Sequence, residues 1–242
     1  MMRKLSRSSF AGMALAIALT GCASTNPQDP LEGFNRAMFS FNDTLDKAAL
    51  KPAAEAYQAV LPSFVQTGIG NFFGNLGDVW SAVNNFLQGK IEAGALDLVR
   101  VTANTTLGVL GLFDIASDSG VPKHEEDFGQ TLGSWGVPSG PYIVLPFFGA
   151  STVRDTVALP VDLKGNIWGY KEPVRWRNTG TVVRLVDRRA SLLDASNLME
   201  DAALDRYQFI RDAFMQRRLN NVYDGDPPAD IKDGKDGNDS QE

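Results

Sequence analysis

One stretch decides the fold class of this 242-residue chain: Ser63-Phe-Val-Gln-Thr-Gly-Ile-Gly-Asn-Phe-Phe-Gly-Asn-Leu-Gly-Asp-Val-Trp-Ser-Ala-Val-Asn-Asn-Phe-Leu87. Its apolar residues recur every three or four positions, which predicts a long α-helix. Glycine interrupts the pattern at positions 68, 70, 74 and 77, and each glycine costs an exposed helix about 1 kcal/mol relative to alanine. Gly70 and Gly74 have the spacing that lets two helices pack closely, especially in lipid. A kinked or broken helix is the alternative.

The segment before this stretch contains a helix start at residues 29–32. Asp29 is predicted as the N-cap, Pro30 as the first helical residue, and Glu32 as the partner three residues after the cap. One apolar stripe then predicts a buried helix face, formed by Leu31, Phe34, Met38, Phe41 and Leu45. Phe39 lies outside that stripe, so this helix is apolar on more than one side, as in a helix that touches both core and lipid.

The segment after the long helix, residues 91–115, is apolar but carries Glu92, Asp97 and Arg100. These charges argue against a transmembrane span. Asp97 and Arg100 are predicted to pair on one helix face. After Cys22 no stretch reaches eighteen uncharged apolar residues, a pattern compatible with helices that lie in or partly within one leaflet.

Residues 124–163 change character, because glycine, proline and aromatic residues replace the helical period. We expect turn-rich, extended backbone there. Its apolar content is high for a surface loop, so the segment either packs over the core or forms a hairpin beside a ligand path.

Helical spacing returns in two later stretches, near residues 182–193 and 203–214, and arginines are interleaved with both. Solvated helix faces explain this basic band, although lipid headgroups or a partner protein would use the same charges. Its members are Arg184, Arg188, Arg189, Arg206, Arg211, Arg217 and Arg218.

The N-terminus has the pattern of a bacterial lipoprotein signal. Three basic residues precede an apolar stretch at residues 10–19 that is too short to span a bilayer. Leu19-Thr-Gly-Cys22 then resembles a lipobox, and Cys22 is the only cysteine. Cys22 is therefore predicted to become a diacylated N-terminus that anchors the protein. The absence of Asp after Cys22 resembles lipoproteins that are sorted to the outer membrane.

We expect four segments: a signal peptide at residues 1–21, a lipidated tether at 22–28, a helical domain at 29–223, and an acidic, disordered tail at 224–242. The signal holds three of the 23 Lys and Arg and none of the 29 Asp and Glu, which leaves a formal charge of −9 on residues 22–242. This charge argues against nucleic-acid binding.

Catalytic chemistry finds little support in the sequence. His124 is the only histidine, which excludes two-histidine metal motifs. The run His124-Glu-Glu-Asp127 is interpreted as a solvated loop or helix cap, because four consecutive side chains do not converge easily on one ion. No G-x-S-x-G elbow, P-loop or G-x-G-x-x-G motif is present. We expect no catalytic residue, no metal and no cofactor.

Five sequence words resemble the MlaA/VacJ lipoprotein family, and they occur in family order over nearly the whole chain up to the acidic tail. They are Asp29-Pro-Leu-Glu-Gly-Phe-Asn-Arg36, Asp127-Phe-Gly-Gln-Thr-Leu-Gly133, Gly140-Pro-Tyr-Ile-Val-Leu-Pro-Phe-Phe-Gly149, Arg189-Ala-Ser-Leu-Leu-Asp194 and Arg211-Asp-Ala-Phe-Met-Gln-Arg-Arg218. Such a series is far more specific than a single short motif.

The resemblance implies an all-α fold, a ring-like bundle of amphipathic helices lying in one membrane leaflet, with a hairpin-like Gly/Pro/aromatic segment. It implies a lipid-anchored protein on the periplasmic side of the outer membrane. Such a protein is not an enzyme: it extracts mislocalised phospholipids from the outer leaflet through an amphipathic channel and passes them to a periplasmic lipid chaperone, which maintains lipid asymmetry. A trimeric porin is a frequent partner.

The resemblance also supplies candidate gate and channel residues. Phe41 and Asn42 match the short element that keeps the family's channel closed, and the aromatic residues of the hairpin-like segment complete the set. The candidates are Phe41, Asn42, Trp135, Tyr142, Phe147 and Phe148.

Two other function classes stay open. One is a structural envelope lipoprotein that tethers the outer membrane to a partner protein through the basic band and the acidic tail. The other is a lipid hydrolase that uses His124. Phospholipid that co-purifies with the protein would favour a conduit over a tether, and loss of hydrolysis in His124→Ala would favour a hydrolase.

Replacing Cys22 by alanine should abolish acylation and anchoring without unfolding the domain, because the thiol is the attachment point of the acyl chains. Incorporation of labelled fatty acid and the amount of protein in the membrane fraction measure the effect, with Ser24→Ala as the control. Wild-type amounts of the Cys22 variant in the membrane fraction would contradict the lipobox assignment.

Overall fold

The computed structural model describes residues 29–228, and the predicted signal, Cys22, the tether and most of the acidic tail lie outside these residues. The fold is mostly helical, which confirms the predicted class. The helices are α1 (Glu32–Leu45), α2 (Lys51–Val60), α3 (Ser63–Leu87), α4 (Ile91–Thr106), α5 (Ile115–Asp118), α6 (Phe128–Ser134), α7 (Val153–Gly165), α8 (Val174–Ala190), α9 (Leu193–Ala202) and α10 (Arg206–Val222).

Three shorter elements complete the fold. A π-helical segment, Asp46–Leu50, joins α1 to α2, and a 3-10 segment, Ile167–Tyr170, follows α7. Strands β1 (Tyr142–Leu145) and β2 (Gly149–Thr152) form an antiparallel hairpin in which Tyr142 faces Thr152 and Leu145 faces Gly149.

The long helix is confirmed, since α3 runs unbroken for 25 residues and packs along α4. The close packing predicted at two of its glycines is wrong. A Cβ added at Gly70 would lie 3.5 Å from Asp187 Oδ2, and one added at Gly74 would lie 3.4 Å from Lys123 Nζ. Both glycines therefore face the ends of polar side chains. Close approach occurs instead at Gly94 of α4, where a Cβ would lie 2.7 Å from the Phe86 ring.

The expectation of extended backbone throughout residues 124–163 is wrong, because α6 and most of α7 lie there. Each helix begins at a side-chain cap. Asp127 Oδ1 accepts a hydrogen bond of 2.8 Å from the Gln130 amide, and Thr152 Oγ1 accepts one of 3.2 Å from the Asp155 amide. The hairpin between these helices is the only part of the segment that forms strands.

The prediction that Asp29 caps α1 is wrong, because its carboxylate forms hydrogen bonds with other partners. Helix α1 begins at Glu32 without a side-chain cap. Asp29 is fully buried; it accepts hydrogen bonds from Asn35 Nδ2 at 2.9 Å and from the Tyr207 hydroxyl, and it lies 3.4 Å from Arg211 NH1. A buried carboxylate is stable only with such partners, and the partners come from α1 and α10.

The apolar stripe predicted on α1 is not a buried face. The one fully buried residue of this helix is Asn35, whereas Phe41 and Leu45 are exposed. Met38 and Phe39 pack against a small cluster built on Tyr142 and Val144 of β1 together with Tyr207 of α10. The apolar surface of α1 is thus divided between this cluster and the exterior.

Polar side chains dominate the interior of the described chain. Within residues 29–228, sixteen polar or charged residues are buried against eleven hydrophobic ones, the reverse of the usual distribution. Large apolar residues lie outside, as in the turn after α4, where Leu107, Leu110 and Phe113 are at least 60% exposed. Contiguous exposed apolar surface of this kind marks contact with lipid or protein. Among the described residues, no helix is both long enough and apolar enough to cross a membrane.

The predicted ion pair between Asp97 and Arg100 is wrong, although both residues are buried. Arg100 NH2 lies 2.8 Å from Asp114, and Arg100 Nε lies 3.4 Å from Asp78 of α3. Asp97 lies 2.9 Å from His124 Nδ1. Tertiary partners satisfy each charge more completely than a neighbour on the same helix could.

Two helix-interior glycines give opposite predictions. A Cβ at Gly180 of α8 would overlap the indole ring of Trp168, whereas a Cβ at Gly77 of α3 would meet no atom within 4 Å. Gly180→Ala should therefore destabilise the protein by about 1–3 kcal/mol through overpacking, and Gly77→Ala should stabilise it by about 0.4–1 kcal/mol. Thermal unfolding in detergent measures both changes. Equal shifts of the same sign would contradict the packing described.

Candidate functional site

Two asparagine side chains of α1 hold the β-hairpin. Asn35 and Asn42 are seven residues apart, which places them two turns apart on one helix face. Each carboxamide donates to one backbone carbonyl of the hairpin and accepts from one backbone amide. The hairpin and α1 are thereby joined at two fixed points.

The Asn35 contact lies at the base of the hairpin and is buried. Its Nδ2 donates to the Tyr142 carbonyl at 3.0 Å, and its Oδ1 accepts from the Val144 amide at 2.8 Å. The carbonyl of residue i and the N–H of residue i+2 point to the same side of a strand. The Asn35 carboxamide therefore takes the place of a residue in a neighbouring strand. Asn35 Nδ2 also donates to Asp29, which links the hairpin to α10 through Tyr207.

The Asn42 contact lies at the turn of the hairpin. Asn42 Nδ2 donates to the Leu145 carbonyl at 2.9 Å, and Asn42 Oδ1 accepts from the Phe147 amide at 2.8 Å. Phe147 has a φ of +67°, a left-handed conformation that is unfavourable for a residue other than glycine. The hydrogen bond to Asn42 helps to hold it there.

Aromatic rings cover this turn. The Phe41 and Phe147 rings meet edge to face with their centroids 5.5 Å apart. Phe147 is 77% exposed, and the adjacent Phe148 is exposed as well. The structure therefore brings four of the six candidate residues, Phe41, Asn42, Phe147 and Phe148, together at one end of the hairpin.

The other two candidates lie elsewhere. Trp135, just after α6, donates from Nε1 to the Leu87 carbonyl at the end of α3, at 3.0 Å. Tyr142 is buried at the base of the hairpin, edge to face with Tyr207 and Phe214. Burial, followed by the nearby charge of Asp29, raises the pKa of Tyr142 to about 12.

The interior between α3, α4 and α5 is a continuous polar network around Arg100. The Asp114 carboxylate accepts from Arg100 NH2, Asn104 and Ser117. Burial alone would raise the pKa of Asp114, but these donors outweigh it and lower the pKa to about 2. Asn75 Oδ1 and two further amide oxygens, Asn85 Oδ1 and Gln88 Oε1, are buried and accept no hydrogen bond within the described part of the chain. Such acceptors can bind water or a polar ligand group.

The acidic run that begins at His124 is used structurally. Asp127 caps α6 and forms a bidentate pair with Arg218 of α10, and Arg218 also pairs with Asp155 at 2.7 Å. Burial alone would lower the pKa of Arg218, yet the two carboxylates raise it. Within residues 29–228, no cluster of three His, Cys, Asp or Glu side chains is arranged to hold a metal ion.

Comparison with known proteins identifies the family. The model of the MlaA lipoprotein family matches residues 27–221. The chain belongs to the MlaA lipoprotein family. The intermembrane phospholipid transport system lipoprotein MlaA of Escherichia coli K12 is 36% identical over 219 residues, with 84% of this chain and 85% of that protein covered. The protein of the same name from Haemophilus influenzae is 34% identical over 226 residues, with 87% and 88% covered.

A solved structure supports the same assignment. It comes from work on the structural basis for maintenance of bacterial outer membrane lipid asymmetry, and it aligns with a TM-score of 0.70 at 37% identity. The alignment covers 80% of this chain and 98% of the other. The helical bundle with its small hairpin is thus an MlaA family fold.

Sequence reasoning missed the residues that hold the base of the hairpin: Asp29 in its true role, Asn35, Tyr207 and Arg211. A signal for Asn35 was available, because a polar residue seven positions before Asn42 recurs on the same face of the helix. The contacts of Tyr207 and Arg211 join residues about 180 positions apart, and helical periodicity carries no information on such contacts.

The two asparagines should differ in their effect on stability. Asn35→Ala would leave the Tyr142 carbonyl, the Val144 amide and Asp29 without this partner in a buried position, at a cost of about 1–3 kcal/mol for each unsatisfied group. Asn42→Ala should lower the free energy of unfolding by less, because the turn is exposed and water can replace the lost hydrogen-bond partner. It should nevertheless speed exchange of the Phe147 amide hydrogen. Thermal unfolding and hydrogen exchange measure the two effects. A larger loss of stability in Asn42→Ala would contradict this arrangement.

Proposed function

We propose that this protein is an outer-membrane lipoprotein that extracts mislocalised phospholipids from the outer leaflet through an amphipathic channel and passes them to a periplasmic lipid chaperone. It thereby maintains the lipid asymmetry of the outer membrane. The names of its relatives, which specify intermembrane phospholipid transport, support this assignment, as does the solved structure studied for lipid asymmetry.

The reversed distribution of polar and apolar residues is the structural observation that carries the proposal. A polar, hydrogen-bonded interior beside an apolar exterior offers both environments that a phospholipid needs. Headgroups can contact the accessible edge of the polar network, where Lys123 and His124 are partly exposed, and acyl chains can contact the exposed apolar helices. A helical domain of this kind can lie in one leaflet without spanning the bilayer.

The hairpin turn is proposed as the gate. Its position on α1 depends on the two hydrogen bonds of Asn42 and on the Phe41–Phe147 ring contact, so a modest change at these residues can release the turn. Transport through such a channel is passive, and its direction follows from the higher affinity of the next carrier for lipid. No covalent step is required, so the protein is not an enzyme.

The anchor and the partners complete the proposal. Acyl chains on Cys22 hold the protein on the periplasmic side of the outer membrane, where a trimeric porin is a partner within the membrane and the lipid chaperone is the partner in the periplasm. The exposed apolar surface supports a role for a membrane-embedded partner.

Deleting Phe41 and Asn42 together should open the gate and raise the amount of phospholipid in the outer leaflet. The deletion removes the two residues that hold the turn. It also rotates the rest of α1 by about 200° relative to its start, since each residue advances a helix by about 100°. Labelling of phospholipid headgroups on intact cells measures the outcome. Phe64→Ala, at an exposed site on α3, is the control. Unchanged outer-leaflet phospholipid in the deletion variant would contradict the gate.

A further inference from the structure

One face of α10 lies along the hairpin and the helices next to it. Four side chains spaced by four, three and four residues share this face, since that spacing follows the helical period. They are Tyr207, Arg211, Phe214 and Arg218. Tyr207 and Phe214 meet the Tyr142 ring edge to face. Arg218 therefore lies on the hairpin side of α10, one turn beyond Phe214.

The guanidinium of Arg218 joins the two helices between which the hairpin lies. Asp127 caps α6, and Arg218 NH1 and NH2 each lie 2.6 Å from one of its carboxylate oxygens. Asp155 lies in the first turn of α7, and Arg218 Nε lies 2.7 Å from its Oδ2. Residues 135–152, which include the hairpin, connect α6 to α7. One side chain thus holds the helix that precedes this segment and the helix that follows it.

Gly129 leaves the space that this arrangement needs. A Cβ added at Gly129 would overlap Arg218 NH2, and it would lie 2.5 Å from Asp155 Oδ1 and 3.1 Å from Asp127 Oδ1. Gly129 is inside α6 and does not have a positive φ. The site therefore requires the absence of a side chain at this position, and not the backbone freedom of glycine.

The three charges are adapted to one another. The Arg218 side chain is only 11% exposed, and a charge so placed needs partners within the protein. Burial alone would raise the pKa of Asp127, but the Arg218 guanidinium and the Gln130 amide outweigh it and lower the pKa. The planar fork of arginine fits two carboxylates at once, which the single ammonium group of lysine does not.

The start of α7 passes this constraint on to the hairpin. Arg154 Nε donates to Asp155 Oδ1 at 3.0 Å, so Asp155 is shared by two arginines. The backbone amide of Arg154 donates to the Ser139 carbonyl at 3.0 Å, and that of Val153 donates to the Pro141 carbonyl at 3.1 Å. Residues 139–141 lie directly before β1. The position of α7 therefore fixes where the hairpin begins.

We propose that Arg218 is a positioning residue for phospholipid transport: by tying α6 to α7 it fixes both ends of the hairpin segment and limits how far the turn at Phe147 moves from Asn42. This inference rests on the proposed function, because it assigns the position of the proposed gate to a residue of α10. Arg218 acts through Asp127 and Asp155, and not by contact with the turn.

Hydrogen exchange of residues 142–152 tests this role on the purified, acylated protein in nonionic detergent. Arg218→Gln should speed exchange there about tenfold or more, the usual scale for losing charge-assisted hydrogen bonds. Arg218→Lys should fall between this variant and the unaltered protein, because it keeps the charge and loses the fork.

Two controls separate positioning from general loss of stability. Arg217→Gln removes the exposed neighbouring cation of α10 and should leave exchange in the hairpin unchanged. Tyr57→Phe removes the hydrogen bond of 2.7 Å to Asp187 on α8. It should lower the thermal midpoint without speeding exchange in the hairpin relative to the rest of the chain.

Labelling of phospholipid headgroups on intact cells tests the consequence for transport. Arg218→Gln should raise outer-leaflet phospholipid even in cells that also carry the unaltered gene, because a released gate leaks whatever the second copy does. A protein that merely fails to fold would be complemented by that copy. Adding Arg218→Gln to the deletion of Phe41 and Asn42 should cause no further rise, since both changes release the same turn.

Asp155→Asn provides a milder variant if Arg218→Gln accumulates poorly, because it removes one charge and keeps an acceptor oxygen. Unchanged hairpin exchange in both variants would overturn the inference, and so would a rise in outer-leaflet phospholipid that the unaltered gene abolishes. Normal outer-leaflet phospholipid in both variants, with a rise in the Phe41–Asn42 deletion, would overturn the role of Arg218 and leave the proposed function intact. Failure of the proposed function would show differently, as normal outer-leaflet phospholipid in cells that lack the whole protein.

Discussion

The buried guanidinium of Arg100 is the interaction on which the interior of this protein depends. A charge that is almost fully buried must be compensated inside the chain, and here α3 contributes Asp78 while the segment before α5 contributes Asp114 and Val121 contributes its carbonyl. Three segments are thereby fixed around α4. The interior is consequently polar, and many apolar residues of the same helices lie on the outside, where lipid can replace a hydrophobic core.

The hairpin is attached to this frame at two points that differ in burial. Its base is bound through Asn35 and Asp29 to α10, in a buried network. Its turn is bound through Asn42 and the Phe41–Phe147 contact at the surface. The base is therefore stable and the turn is easier to release. The proposed gate relies on this difference, because a lid needs a fixed base and an end that can be released.

Much of the candidate site could be predicted from local sequence, and the remainder depended on long-range contacts. The helical period predicted α3 and α10, and the family resemblance singled out Phe41 and Asn42, but their contact with the hairpin is visible only in the structure. Asp29 was misassigned because the same residue type serves as a helix cap and as a buried hydrogen-bond acceptor. The Asp97–Arg100 pair failed because stronger partners came from elsewhere in the chain.

The sequence by itself determined that the chain is helical, that it belongs to one lipoprotein family, and which residues are polar or apolar, because periodicity and motif order are local properties. Only the tertiary structure decided which of those residues face inward. The reason is physical: in water apolar residues are expected inside, but when the interior is satisfied by hydrogen bonds and the exterior can meet lipid, the same pattern folds with its polar groups at the centre.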